Sequence, residues 1–152
     1  MININQKNYQ KSVFVNSSKQ LIFKALTEEV DKWWSDIENS SKNKDDIFKI
    51  SFGKESYWKF RVIEINKNKR IVWKCIESHQ DHNLKGVDEE WLNSEITWTI
   101  SEKDKNTKID FLHKGLVTDG ICYDVCSTAW DFYILNSLKS YLETGIGKAG
   151  QN

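Results

Sequence analysis

Apolar and polar residues alternate along the second third of the chain, from about residue 46 onward. This period of two is typical of β-strands that bury one face. Polar stretches at 66–69 and 102–106 separate neighbouring strands and predict hairpin turns. The inward apolar positions would be Phe48, Ile50 and Phe52; Trp58, Phe60 and Val62; Ile71, Trp73 and Cys75; Ile96, Trp98 and Ile100; and Ile109, Phe111 and His113.

The region before this sheet predicts a strand followed by helical turns. A β-branched and aromatic run at 11–16 ends at Ser17, whose spacing from Gln20 is that of a capping box at a helix start. Thr27 is placed to cap a second turn, with Trp33 and Trp34 on its apolar side. The polar residues 35–44 predict a loop.

A long helix is predicted at the C-terminal end, from about Tyr123 to Thr144, with Gly145 ending it. Because a sheet that is apolar on one face must be covered, this helix is expected to lie across it. The fold class is therefore α+β, a curved antiparallel sheet wrapped around a terminal helix. One side of the helix would carry Cys126, Ala129, Trp130, Tyr133, Ser137 and Tyr141.

Composition narrows the choice of partners. Lys+Arg and Asp+Glu both number 22, so the formal net charge of zero offers little attraction to nucleic acid or to an anionic membrane. The 152 residues predict a single domain over 1–152. No stretch has the length and hydrophobicity of a membrane span or a signal sequence, and the three cysteines are too few for a disulfide framework. We expect free thiols and a cytoplasmic location.

Three segments resemble a known family. VFVNSSKQLIFKALTEEVDKWW, RIVWKC and HKGLVTDGICYDVCSTAWDFYILNSLKSYLETGIGK are similar to the START-like helix-grip (SRPBCC) superfamily, in its bacterial branch similar to the activator of heat-shock protein 90 ATPase. The resemblance covers nearly the whole chain and implies an elongated cavity between sheet and terminal helix. The cavity walls would be Phe60, Trp73, Trp98, Phe111, His113, Cys126, Trp130 and Tyr133.

Three functions follow as hypotheses. The leading one is binding of a small hydrophobic or aromatic ligand in that cavity, although the inward rings would equally serve to fill it. The resemblance supplies the alternative, a co-chaperone role through interaction with a chaperone partner. The sequence is compatible with a monomer or a homodimer. The third is a cyclase-like enzyme in which His113 acts as acid or base near Tyr133 and Cys126, against a plain core histidine bonded to a hydroxyl group.

Metal and cofactor sites are not predicted. Cys122 and Cys126 lie one helical turn apart and, with Cys75 or His113, would make a zinc site, but buried structural thiols fit this spacing better. The residues 78–82 bring two histidines and an aspartate together in what reads as a solvated loop. Phosphate-binding glycine loops and a serine nucleophile elbow are missing from the sequence, which excludes those enzyme classes.

Overall fold

A computed structural model describes residues 7–52, 56–79, 91–118, 120 and 123–150. Seven strands form one antiparallel sheet in the order β1-β7-β6-β5-β4-β3-β2. The strands are β1 Asn8–Val15, β2 Asp36–Glu38, β3 Ile47–Phe52, β4 Ser56–Asn66, β5 Arg70–His79, β6 Glu95–Lys103 and β7 Asn106–Val117. The helices are α1 Lys19–Thr27, α2 Val30–Trp33 and a terminal helix, α3, that runs through Tyr123–Asp131, Phe132–Leu138 and Lys139–Thr144.

The predicted fold class is confirmed. Strands β2 to β7 follow one another as an antiparallel meander, and β1 closes the order by pairing with β7. Both predicted hairpin turns are present, since Asn66 pairs with Arg70 and Lys103 pairs with Asn106. The helices α1, α2 and α3 supply the rest of the core on the inner face of the sheet.

The predicted inward rows are buried, with two exceptions at one end. Phe48, Phe60, Trp73 and Trp98 are each 0% exposed, as the period of two requires. Phe52 and Trp58, which face one another near the β3–β4 connection, are only half-buried. The inner face is therefore sealed in the middle and partly open at this end.

The N-terminal predictions need three corrections. The N-cap of α1 is Ser18, whose Oγ accepts the Leu21 N–H, and not Ser17. Thr27 does not cap the next turn, because it is the last residue of α1 and its hydroxyl donates to the Phe23 carbonyl. The segment 35–44 is not wholly loop, since Asp36–Glu38 adds an edge strand to β3.

The terminal helix has the predicted length but an irregular middle. Its Phe132–Leu138 segment is wound as a π-helix, in which the Lys139 N–H donates to the Ile134 carbonyl five residues earlier. Leu138, which an α-helical wheel assigns to another side, is buried in this segment together with Tyr133, Ile134 and Ser137. Tyr141, predicted on the inner side, is only half-buried. Gly145 ends the helix at a left-handed φ of 84°, as predicted.

Ser137, a buried residue of α3, links both α2 and the residues after α3 to this helix. Its hydroxyl donates to the Trp33 carbonyl at 2.5 Å and accepts the Lys148 N–H at 2.7 Å. Gly147 fits this contact because a Cβ at that position would stand 2.1 Å from the Lys32 carbonyl oxygen. The helical pair α2 and α3 is thus held together by one hydroxyl and one close backbone approach.

Candidate functional site

A ladder of aromatic rings runs from the half-open end of the sheet into the core. We use the term aromatic ladder for Phe52, Trp58, Trp91 and Trp130. Phe52 meets Trp58 edge-on at 5.2 Å between ring centroids, Trp58 stacks on Trp91 at 4.2 Å, and Trp91 stacks on Trp130 at 5.9 Å with planes 9° apart. The first two rings are half-buried and the last two are buried, so the ladder connects the surface with the interior.

Trp130 is the inner end of the ladder and a hub of the core. It projects from α3 onto the sheet, where its ring lies 4.5 Å from Phe111 and 6.2 Å from Trp98. On the helical side it lies 4.8 Å from Trp34, which follows α2. Trp34 in turn stacks on Trp73 at 6.1 Å with planes 4° apart, so rings from the sheet and from both helices interlock.

His113 lies beside the ladder and is fully buried, with an exposure of 0%. Its Nδ1 accepts the indole N–H of Trp130 at 3.2 Å. A neutral imidazole that accepts at Nδ1 carries its proton on Nε2, which then donates to Ser94 Oγ at 2.9 Å. Burial lowers the pKa of His113 to about 3, so the ring is neutral near pH 7.

This geometry gives His113 a structural role. Both ring nitrogens already form hydrogen bonds, and the Ser94 hydroxyl accepts a hydrogen bond from the ring rather than donating one. General acid or base work near neutral pH would need a pKa close to the working pH and a nitrogen free to reach a substrate. The hydrogen-bond partners of the ring are Ser94 and Trp130, not the Tyr133 and Cys126 side chains considered for the enzyme.

A second polar contact joins the first strand to α3. The Tyr9 hydroxyl donates to Asp131 at 2.5 Å, and the Lys11 ammonium group pairs with the same carboxylate at 3.1 Å. Burial and the hydrogen bond to Asp131 raise the pKa of Tyr9 well above its usual value. Asp131 is the last residue before the π-helical segment, so this contact fixes α3 at the point where its winding changes.

The residues predicted to line a cavity share one buried core. The least buried of them is Cys126, at 5% exposure. Their rings are in mutual contact in the structure, for example Trp98 with Phe111 at 4.6 Å. Concavities lined by described residues occur elsewhere, including one of about 410 Å³ on the outer sheet face around Thr97 and Thr99. A role for the predicted residues as cavity wall stays a prediction.

Two important residues were missed from the sequence. Trp91 and Ser94 precede β6, outside any stretch of period two. They belong to a tight turn in which the Ser94 N–H donates to the Trp91 carbonyl and Asn93 has a left-handed φ of 68°. The Asn93 N–H also bonds to Cys75, which holds the turn against β5 and directs both side chains inward. A tryptophan two residues before the turn-forming pair Asn93-Ser94 was the available signal.

Several buried donors near the ladder have no acceptor. Among the described residues, the indole N–H groups of Trp58, Trp73, Trp91 and Trp98 are buried without a hydrogen-bond partner. The protein does satisfy other indoles, since Trp33 donates to the Ala25 carbonyl at 2.9 Å and Trp130 donates to His113. The unpaired donors are therefore a feature of the sheet side of the ladder and its neighbours.

The cysteines differ from the sequence expectation. Cys126 is disulfide-bonded, so the expectation of free thiols is wrong for this residue. A count of cysteines does not show which of them lie within bonding distance. Cys75 is free and buried, and burial raises the pKa of its thiol to about 12. Of the metal sites that the sequence raised, Cys122 and residues 80–82 lie outside the described residues. Within the described residues, no group of three His, Cys, Asp or Glu side chains is arranged to hold a metal.

One family model matches most of the chain. The model of the family described as Activator of Hsp90 ATPase homolog 1-like protein matches residues 16–143. Comparison with curated proteins finds no match. The part of the chain that the structure describes contains no helix long and apolar enough to cross a membrane.

Solved structures agree with the fold. The solution structure of the Aha1 dimer from Colwellia psychrerythraea is 26% identical, with a TM-score of 0.75 over 93% of this chain and 99% of that one. Protein MLL2253 from Mesorhizobium loti is 16% identical, with a TM-score of 0.74 over 90% of this chain and 96% of that one. DynU16, a putative protein in the dynemicin biosynthetic locus, is 14% identical with a TM-score of 0.72, over 95% of this chain and 49% of that one.

Proposed function

We propose that this chain, which belongs to the Activator of Hsp90 ATPase homolog 1-like family, binds a small, flat, apolar molecule between its sheet and α3. The aromatic ladder is the observation that carries the proposal. Its outer rings, Phe52 and Trp58, are half-buried, whereas Trp91 and Trp130 lie in the core. A flat ligand replaces ring-on-ring contacts of this ladder with contacts of the same kind, which is how aromatic pockets accept aromatic ligands.

The energetics of entry favour binding. The ligand must separate the Phe52–Trp58 and Trp58–Trp91 contacts, and such ring pairs are each worth about 0.5–1.5 kcal/mol beyond their buried area. A three-ring hydrocarbon that buries about 300 Å² gains about 7 kcal/mol from the hydrophobic effect. About 4–6 kcal/mol then remain before the loss of overall motion on association, so a dissociation constant of about 0.1 mM or weaker is expected.

Native mass spectrometry with a library of apolar aromatic and aliphatic molecules tests the proposal. We expect retention of flat aromatic members at ligand concentrations of about 0.1–1 mM. In ¹H–¹⁵N spectra, the indole signals of Trp58, Trp91 and Trp130 should shift on binding. The matched reference is Trp33, whose indole N–H is bonded to Ala25 away from the ladder and should stay in place. Failure of every library member to bind, or shifts that spare the ladder, would refute the proposal.

The family match favours a second candidate, a co-chaperone role. The family description names an activator of Hsp90 ATPase, and the Colwellia psychrerythraea relative is described as Aha1. A chain with this role would bind a heat-shock protein 90 chaperone and change its rate of ATP hydrolysis. An ATPase assay of that chaperone with increasing amounts of this protein decides the matter, because an unchanged rate together with no co-purification removes the candidate.

The same relative is described as a dimer, which supports a homodimer here. Light scattering during size-exclusion chromatography distinguishes the 17.9 kDa monomer from a particle of twice that mass. A monomer at all accessible concentrations would contradict the proposal of a dimer. The cytoplasmic location stays a prediction, which fractionation of producing cells would test.

A further inference from the structure

The unpaired indole donors differ in chemistry from the rest of the core. Trp58 and Trp91 belong to the aromatic ladder, and their rings are stacked at 4.2 Å. Trp73 and Trp98 lie next to its inner end, with ring centroids 5.7 Å apart. All four offer a hydrogen-bond donor and no acceptor, because an indole N–H is a donor only. The lining of the ladder is thus rich in donors that nothing in the described chain uses.

Such donors are costly unless a partner satisfies them. A buried polar group without a hydrogen bond loses its interaction with water and gains nothing in return. The protein avoids this cost at Trp33 and Trp130, where a carbonyl oxygen and an imidazole nitrogen accept the indole N–H. A purely hydrocarbon ligand would leave the donors of Trp58 and Trp91 as they are. A ligand with acceptor atoms would satisfy them.

We propose that the ligand is a flat aromatic ketone, quinone or ether, a molecule with hydrogen-bond acceptors and few donors, whose oxygen atoms accept the indole N–H groups of Trp58 and Trp91. This inference rests on the proposed function, because it specifies the molecule that the ladder takes up. It selects against two other classes. Fatty chains lack hydrogen-bond acceptors in their apolar part. Polyols bring hydroxyl donors into a site whose indole groups are themselves donors.

A pair of probes of the same shape tests the inference. Fluorene and 9-fluorenone have the same three-ring skeleton, and only the ketone has an acceptor. Calorimetric titration should give about tenfold tighter binding for 9-fluorenone, the change expected from one added hydrogen bond. The indole N–H signals of Trp58 or Trp91 should move downfield with 9-fluorenone and not with fluorene, since hydrogen bonding deshields the proton.

Matched variants assign the preference to particular donors. Trp91→Phe and Trp58→Phe each keep an aromatic ring and remove one N–H. Because a smaller ring weakens both probes alike, the ratio of the two affinities is the quantity to compare. We expect this ratio to fall towards one in at least one of these variants. Trp33→Phe is the control, since its N–H is used by Ala25, and the ratio should be unchanged.

The outcomes separate the two proposals. If neither probe binds, the proposed function fails together with the inference. If both probes bind equally well, the ladder takes up apolar ligands but the acceptor preference is refuted. A preference that survives in both Trp58→Phe and Trp91→Phe refutes the assignment to these donors. If one variant does not fold, the downfield indole signals of the unchanged protein decide.

Discussion

Mild acid should destabilise this protein through His113. The folded-state pKa of this residue is lowered to about 3 because the ring is completely buried, whereas an exposed histidine has a pKa near 6.5. Between these two values, the unfolded chain binds a proton at this position and the folded chain does not. The folded state is therefore fully favoured above pH 6.5 and progressively disfavoured as the pH falls towards 3.

The magnitude follows from the linkage relation. Each pH unit below 6.5 costs about 1.4 kcal/mol, so that lowering the pH from 7 to 5 should reduce the free energy of unfolding by about 2 kcal/mol through this residue alone. That is a large part of the stability of a domain of this size. Glu77 and Glu143, whose pKa values are lowered chiefly by hydrogen bonds from the Tyr57 hydroxyl and the Asn16 backbone N–H, act mainly below pH 5 and leave this range to the histidine.

Urea unfolding at pH 5, 6, 7 and 8 measures the effect. His113→Gln removes the titrating group and keeps hydrogen-bonding atoms for Ser94 and Trp130. Between pH 7 and 5, the free energy of unfolding of this variant should therefore fall by about 2 kcal/mol less than that of the wild-type protein. The matched control is His79→Gln at an exposed position at the end of β5, where folding does not bury the ring.

One result would contradict a role of His113 in acid stability. If His113→Gln and the wild-type protein show the same pH dependence, then His113 does not control acid stability. The histidine ring signals of the wild-type protein provide an independent reading when the variant folds poorly. The signals of His113 should not titrate between pH 8 and 5, and a midpoint near 6.5 would show that the ring is accessible to water.

Two further substitutions test the contacts described above. Gly147→Ala should lower the free energy of unfolding by about 1–3 kcal/mol, because its Cβ would meet the backbone carbonyl of Lys32, while the exposed Lys148→Ala should have little effect in the same urea assay. Ser18→Ala should cost about 1 kcal/mol through loss of the α1 cap. Ser17→Ala should cost much less, since the Ser17 hydroxyl has no hydrogen-bond partner in the described part of the chain. Equal effects of the two serine substitutions would contradict the assigned cap.

The candidate site could be predicted from the sequence where it lies on regular strands or on the terminal helix. Each of Phe60, Trp73, Trp98 and Phe111 belongs to the alternate apolar set of its own strand, so its burial follows from alternation. Trp91 was missed because it lies in a turn, where side-chain direction depends on local backbone angles rather than on a period.

The terminal helix shows the same division in one element. Its ends at Tyr123 and Thr144 follow from the apolar pattern and from Gly145, which takes up the left-handed conformation that glycine favours. The π-helical turn in its middle does not follow from any local pattern. Its position coincides with contacts to other elements, because Asp131 is bonded to Tyr9 and Ser137 to Trp33.

The class of fold, the order of the elements and the buried face of each strand follow from the sequence alone. They depend on hydrophobic periods and on local start and stop signals of helices and strands. The hydrogen-bond partners of the buried side chains follow only from the tertiary structure. Whether His113 is an acid, a base or a core residue depends on the Ser94 and Trp130 side chains that approach it from other parts of the chain. Which indoles keep an unused donor likewise depends on the neighbours that folding brings near them.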